Sequence, residues 1–178
     1  MRILFLLVFL AGCGGAPRGD AVPDLALPVR EPVHDFAIVP GERIGPIYLG
    51  MPLSQLLDVL GDPAESYGWG MEGYPGMKHV YGGTQHLRAL QIVVHSRDQR
   101  VRAIMVTDPS YQTARGVRVG ASGARAMVAG RPANIRPTPY GENYCYREGL
   151  DVGLNQSGGI TFIKVFHPAD YPLTFCSP

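Results

Sequence analysis

Hydrophobic and polar positions divide the chain into short blocks, most of them alternating. Leu53, Leu56, Leu57 and Leu60 stand at i, i+3, i+4 and i+7, which places four leucines on one face of two helical turns. Pro52 suits the start of a first turn, Gly61 suits a left-handed stop, and Pro63 forbids continuation. The spacing therefore predicts a helix from Leu53 to Leu60. A short strand carrying Ile47 and Leu49 precedes it, and Phe36 to Val39 forms a lead-in strand ended by Pro40-Gly41. Further on, Leu90, Ile92 and Val94 alternate with Gln91, Val93 and His95; Ser96 to Arg100 is a polar turn, and Val101 to Thr107 is the return strand.

The succession then recurs. Val117 and Val119 form a strand, Gly120 a joint, and Ser122 a natural N-cap. Gly123 to Ala129 is a weaker helix with only Met127 and Val128 as large apolar groups, closed by Gly130-Arg131-Pro132. Asn143 to Arg147 is a strand; Leu150, Val152 and Leu154 alternate in the next. Asn155 to Gly159 is a turn, and Ile160 to Phe166 returns. Gly50 matches Gly120 at an offset of 70, and Pro63 matches Pro132 at an offset of 69. The return strands match at an offset of 59, so the first unit is ten residues longer between helix and hairpin. The pattern predicts an α+β fold of two tandem repeats, residues 36–110 and 111–178, each a short strand and helix packed on an antiparallel hairpin.

The extra length falls in or beside Tyr67 to Gly83, where glycines recur too often for a helix. This segment reads as a loop or irregular hairpin with a strand starting near Lys78. It gathers Tyr67, Trp69, Met71, Tyr74 and Met77, a candidate partner-binding surface. The alternative is a lid that packs its aromatics onto its own sheet.

Composition changes the picture in two places. A formal net charge of +1 removes the electrostatic case for nucleic acid. Residues 14 to about 35 carry Pro17, Pro23, Pro28 and Pro32 without period 2 or 3.6, which reads as a flexible tether. Ahead of it, Arg2 is followed by the apolar run Ile3 to Leu10, too short to span a bilayer. Leu10-Ala11-Gly12-Cys13 then resembles the lipobox of bacterial lipoproteins. That resemblance implies cleavage of residues 1–12, lipidation of Cys13, a tether over 13–35, and anchoring through the acyl chains. Gly14 in place of an aspartate implies the outer membrane, facing the periplasm. Cys145 and Cys176 remain in an oxidising compartment, where a disulfide between them is expected to stabilise by roughly 2–4 kcal/mol. Two free thiols, or a redox pair without a Cys-x-x-Cys motif, are the alternatives.

The motif Ile47, Leu49, Gly50, Met51, then Leu56, Leu57, Leu60, Gly61 and Pro63, resembles that of the BamE (small outer-membrane lipoprotein) and β-lactamase-inhibitor-protein superfamily. The second copy keeps Gly120, Gly130 and Pro132 and has Ala121 for Met51. The tandem arrangement is more like the inhibitor protein and the lipobox more like BamE. The resemblance implies helices laid on an antiparallel sheet across about residues 36–168, and a function in binding protein.

Catalytic constellations are missing from the sequence. His34, His79, His86, His95 and His167 show no metal-ligand spacing, though His79 and His86 could meet across a turn. There is no Gly-x-Ser-x-Gly and no phosphate loop, and Asp108 and Asp151 read as solvated carboxylates flanking strands. The expectation is a non-enzymatic, lipid-anchored envelope protein with no cofactor or metal. It would bind an envelope protein partner and meet the membrane through its lipid; the alternative is an inhibitor or immunity-type protein that occludes an active site.

Overall fold

Period-two alternation in the paired segments around residues 90–106 and 150–166 builds the centre of the molecule. The computed structural model describes residues 35–71, 74–82 and 90–169, with side chains for all of these except 70, 71 and 74. In chain order, β1 (Ala37–Val39), β2 (Arg43–Ile44) and β3 (Ile47–Tyr48) lead into α1 (Leu53–Leu60). Then come β4 (Glu65–Met71), β5 (Tyr74–Tyr81), β6 (Leu90–His95), β7 (Val101–Val106) and the short β8 (Gln112–Thr113). After α2 (Gly123–Val128) follow β9 (Asn134–Thr138), β10 (Gly141–Tyr146), β11 (Leu150–Asn155) and β12 (Ile160–Phe166).

Eight strands form one antiparallel sheet in the order β4-β5-β6-β7-β12-β11-β10-β9. A second, four-stranded sheet has the order β3-β2-β1-β8, with β1 and β8 parallel. This corrects the expected α+β class with two helix-on-hairpin repeats. Among the described residues the helices supply the eight residues of α1 and the six of α2, so the described fold is mainly β. The strands on either side of residue 110 do not stay in separate units: β7 pairs with β12 through Val106↔Ile163 and Ile104↔Val165. That pairing joins two apolar strand edges that would each be an open template if left unpaired.

Both helix starts are pinned to hairpins of the large sheet. Gly50 N–H donates to the Val101 carbonyl at 2.8 Å, and Val101 N–H returns to Met51 at 2.9 Å. Gly120 N–H donates to Ile160 at 2.8 Å, and Ile160 N–H returns to Ala121 at 2.8 Å. Gly50 and Gly120 take φ of 83° and 82°, a conformation that glycine reaches without strain.

One face of the large sheet packs against the helices and the small sheet. The cross-strand row His79–Ile92–Ile104–Val165–Leu150–Tyr146 lines that face. Leu56 of α1 is fully buried against it, worth about 1.5–3 kcal/mol for such a side chain; Leu53 and Leu60 are half-buried beside it. In α2 the two large apolar residues, Met127 and Val128, face outward, and Ala126 is the buried residue. The helix lies too close to the sheet for larger groups. The Tyr146 hydroxyl donates to the Ala126 carbonyl at 2.6 Å, and a Cβ on Gly123 would stand 2.3 Å from Leu154 Cδ2. Burial pushes the Tyr146 phenol up to about 12. Ser122 has extended N-cap backbone but makes no side-chain capping bond.

Candidate functional site

The opposite face of the large sheet carries the chemistry. Two neighbouring cross-strand rows define it. One runs Tyr67–Lys78–Val93–Ala103–Phe166. The next runs Gln91–Met105–Lys164–Asp151–Cys145. Val93, Ala103 and Phe166 form a small apolar cluster separate from the main core, with Trp69 packed on it. Trp69, Lys78, Gln91, Val93, Ala103, Met105 and Lys164 line a shallow cavity of about 130 Å³.

The glycine-rich segment that holds Trp69 is a regular hairpin. Strand β4 pairs with β5 from Glu65↔Val80 to Met71↔Tyr74, with Tyr67 opposite Lys78 and Trp69 opposite Gly76. Glycine serves packing here: a Cβ on Gly76 would lie 3.0 Å from the Val94 carbonyl and 3.3 Å from that of Trp69. The extra length of this part is divided between longer strands, seven and eight residues against five and six in β9 and β10, and the connection 82–89.

The structure separates the residues predicted as one partner-binding set. Tyr67 and Trp69 share the outer face, and the Lys78 ammonium lies 5.6 and 5.9 Å from their ring centroids, within cation–π range. Met77 is paired with core residue Val94 and points to the helix side, away from Trp69. Met71 and Tyr74 form the last pair of the ladder, and their side chains lie outside the described residues. Cys13 and Cys176 also lie outside them, so the lipidated residue and one end of the expected disulfide have no structural account; Cys145 is buried.

Lys164, Phe166 and Asp151 were absent from the predicted set. Asp151, expected to be a solvated carboxylate, is fully buried. Its Oδ2 meets the Lys164 ammonium at 2.6 Å, and its Oδ1 lies 3.8 Å from Cys145 Sγ. Lys164 reaches from this pair toward the cavity, with its ammonium 5.9 Å from the Phe166 ring. A fully buried carboxylate paired with this ammonium holds the lysine in place. The signal in the sequence was parity: Asp151 and Lys164 lie out of phase with the core residues Val152 and Val165.

Size decides what the cavity can take. Sites for small molecules usually occupy about 300–1,000 Å³, so this one fits a single side chain or a similar small group. Its aromatic wall, with the Lys78 ammonium against it, favours a small group with apolar surface and a polar tip; the Lys164 ammonium is already paired with Asp151. A larger groove of about 390 Å³ lies on the other side of the sheet, lined by Ile38, Val39, Pro40, Thr113, Ala114, Arg115, Ala129, Glu148 and Leu150. There the Arg115 guanidinium already donates to the Val128 and Ala129 carbonyls at the end of α2. His79, the histidine singled out with His86, takes a hydrogen-bond partner across the ladder: Ser66 Oγ lies 2.8 Å from its Nδ1. His86 lies outside the described residues. Among the described residues no three His, Cys, Asp or Glu side chains are grouped to hold a metal, and no helix is long and apolar enough to cross a membrane.

No protein-family model matches the chain, and no curated protein matches it. Among solved structures, its fold is similar to that of the uncharacterized protein yfeY from Escherichia coli, with a TM-score of 0.52 and 12% identity over 72% of this chain and 98% of that one. A cysteine-rich secretory protein from Staphylococcus aureus overlaps 74% of this chain and 49% of its own, at 10% identity and a TM-score of 0.48. At such identity the first likeness concerns fold alone, and the second is too weak to carry an argument. Neither is described as a member of the families that the Gly50-Met51 motif resembles.

Proposed function

We propose that this chain is a lipid-anchored envelope protein that binds another protein through the outer face of its large sheet. One observation carries the reading. The chain has one tryptophan and only two lysines, and all three line the same small cavity on the face opposite the core. A rigid sheet presenting tryptophan and tyrosine as anchors is a form that a protein-binding hot spot takes, and the neighbouring lysines add charge that can orient a partner. The lipobox-like Leu10–Cys13 sequence supports the address, and the proline-punctuated segment after it supports a tether.

The test is crosslinking in the native cell envelope, followed by identification of the partner peptide. Trp69→Ala and Lys78→Glu should each cut that crosslink at least tenfold, the loss expected from a hot-spot residue worth about 1.4 kcal/mol or more. The melting temperature should stay within about 3 °C of the parent, because both side chains lie outside the main core. An undiminished crosslink in both variants discards the outer face as the binding site. Loss of the crosslink together with a collapse in melting temperature assigns Trp69 to the fold instead.

A further inference from the structure

Helix α2 reverses the usual amphipathic order. Its buried residue is an alanine, while Met127 and Val128 stand 48% and 46% exposed. Ile135 of β9 is 45% exposed, and its register through Tyr144 to buried Val152 puts it on the side of the sheet that α2 covers. Arg125 in the helix and Arg131 just after it are also exposed. The charge around them is mainly basic: from Tyr111 to Gly141 the chain carries five arginines and no carboxylate, although Arg136 alternates to the other side of β9 from Ile135 and the exposed Glu142, next in sequence, shares the side of Ile135 and Tyr144. Glu148 is the carboxylate that lines the groove beyond the end of α2.

We infer that the α2–β9 surface rests on an anionic, phosphate-bearing bilayer surface, with the arginines on phosphates and Met127, Val128 and Ile135 at the acyl boundary. Charge complementarity favours this occupant, since short apolar groups flanked by arginines match the composition of a headgroup layer. Docking there turns the opposite face of the sheet, with its Trp69 cavity, away from the bilayer. The inference rests on the proposed lipid anchor, and the experiment keeps the two apart.

The full-length lipidated protein is reconstituted in vesicles of phosphatidylcholine alone or with added phosphatidylglycerol, and hydrogen exchange is followed over residues 121–138. Exchange should slow on the anionic vesicles only, and about 0.5 M salt should abolish the effect through screening. Arg125→Gln and Arg131→Gln should each weaken the docked state by about fivefold. Equal exchange on both vesicles overturns the inference. Slowing on neutral vesicles after adding inorganic phosphate overturns it in favour of a discrete phosphate site. Slowing that requires an added envelope protein extract overturns it in favour of a protein partner. Flotation with neither vesicle defeats the anchor, and the arginine-dependent exchange with excess anionic vesicles then still decides the surface.

Discussion

Replacing Lys164 tests whether a buried charge organises the outer face. Asp151 is fully buried, whereas the Lys164 side chain is 17% exposed, and their charged atoms lie 2.6 Å apart. The two partners therefore differ in what they leave behind. Lys164→Met keeps the aliphatic stem but strands a carboxylate that has no route to water, and breaking a buried pair in this way costs about 3–5 kcal/mol. Asp151→Asn removes a charge and leaves an ammonium that can turn its head outward along a flexible stem, at about 1–2 kcal/mol. The double change Asp151→Leu with Lys164→Met leaves no stranded charge and should return stability to within about 1 kcal/mol of the parent. Urea unfolding followed by the fluorescence of Trp69 reads all three. With a denaturant slope of about 2 kcal/mol per molar, the lysine variant should lower the midpoint by roughly 1.5–2.5 M. A midpoint loss below about 0.5 M for Lys164→Met, or a larger loss for Asp151→Asn than for Lys164→Met, would refute the reasoning, because no buried charge would then depend on the lysine.

Two further expectations follow from particular positions. Gly50 and Gly149 have nearly the same backbone, φ 83° and 84°, but different surroundings: a Cβ on Gly50 meets nothing within 4 Å, while one on Gly149 would lie 2.1 Å from the Phe166 carbonyl oxygen and 2.9 Å from Gly41 Cα. Gly50→Ala should cost only the left-handed strain, about 1–2 kcal/mol, and Gly149→Ala clearly more; equal losses by calorimetry would show that close approach of backbones contributes nothing. Burial holds the His79 imidazole below its ordinary value, and its Nε2 is buried without a hydrogen-bond partner. The folded state thus prefers the neutral ring, so this contribution is complete above the unfolded value of about 6.5 and is lost as pH falls through the depressed folded value. The parent should lose more melting temperature between pH 7 and pH 5 than His79→Gln does, and parallel pH profiles would contradict the assignment.

What the sequence made legible is what local physics controls. The period of 3.6 with a glycine stop placed α1 at its observed bounds; Gly61 takes φ 73° with ψ −163°, a conformation open to glycine though not the expected left-handed helical one. The alternating segments at 90–95, 101–106, 150–155 and 160–166 formed as strands for the same reason. Strand β9 was not foreseen: it shows no period-two alternation of apolar residues and carries Pro137, which an edge strand tolerates because one side of its ladder stays unpaired. The glycines of β4 and β5 also misled: proximity to Val94 and Trp69 carbonyls, rather than a turn, explains Gly76.

The larger error was one of range. Nothing local distinguishes a hairpin that stands alone from one whose outer strand joins another hairpin sixty residues later, yet the β7–β12 pairing decides the fold class. The candidate site shows the same division. Tyr67, Trp69 and Lys78 lie on one hairpin, and their kinship could be read from spacing. Lys164 and Asp151 enter only because β12 is laid against β7 in a register that brings Lys164 opposite Met105 and Phe166 opposite Ala103. A shift of one residue would turn Lys164 into the core and Val165 outward, since strand side chains alternate faces. The core residues Val165 and Ile163, both fully buried, therefore fix the register that places the second lysine in the cavity. The outer-face chemistry is in this sense a consequence of the inner-face packing, and a core variant that loosens the β7–β12 register should degrade partner capture without touching any outer-face side chain.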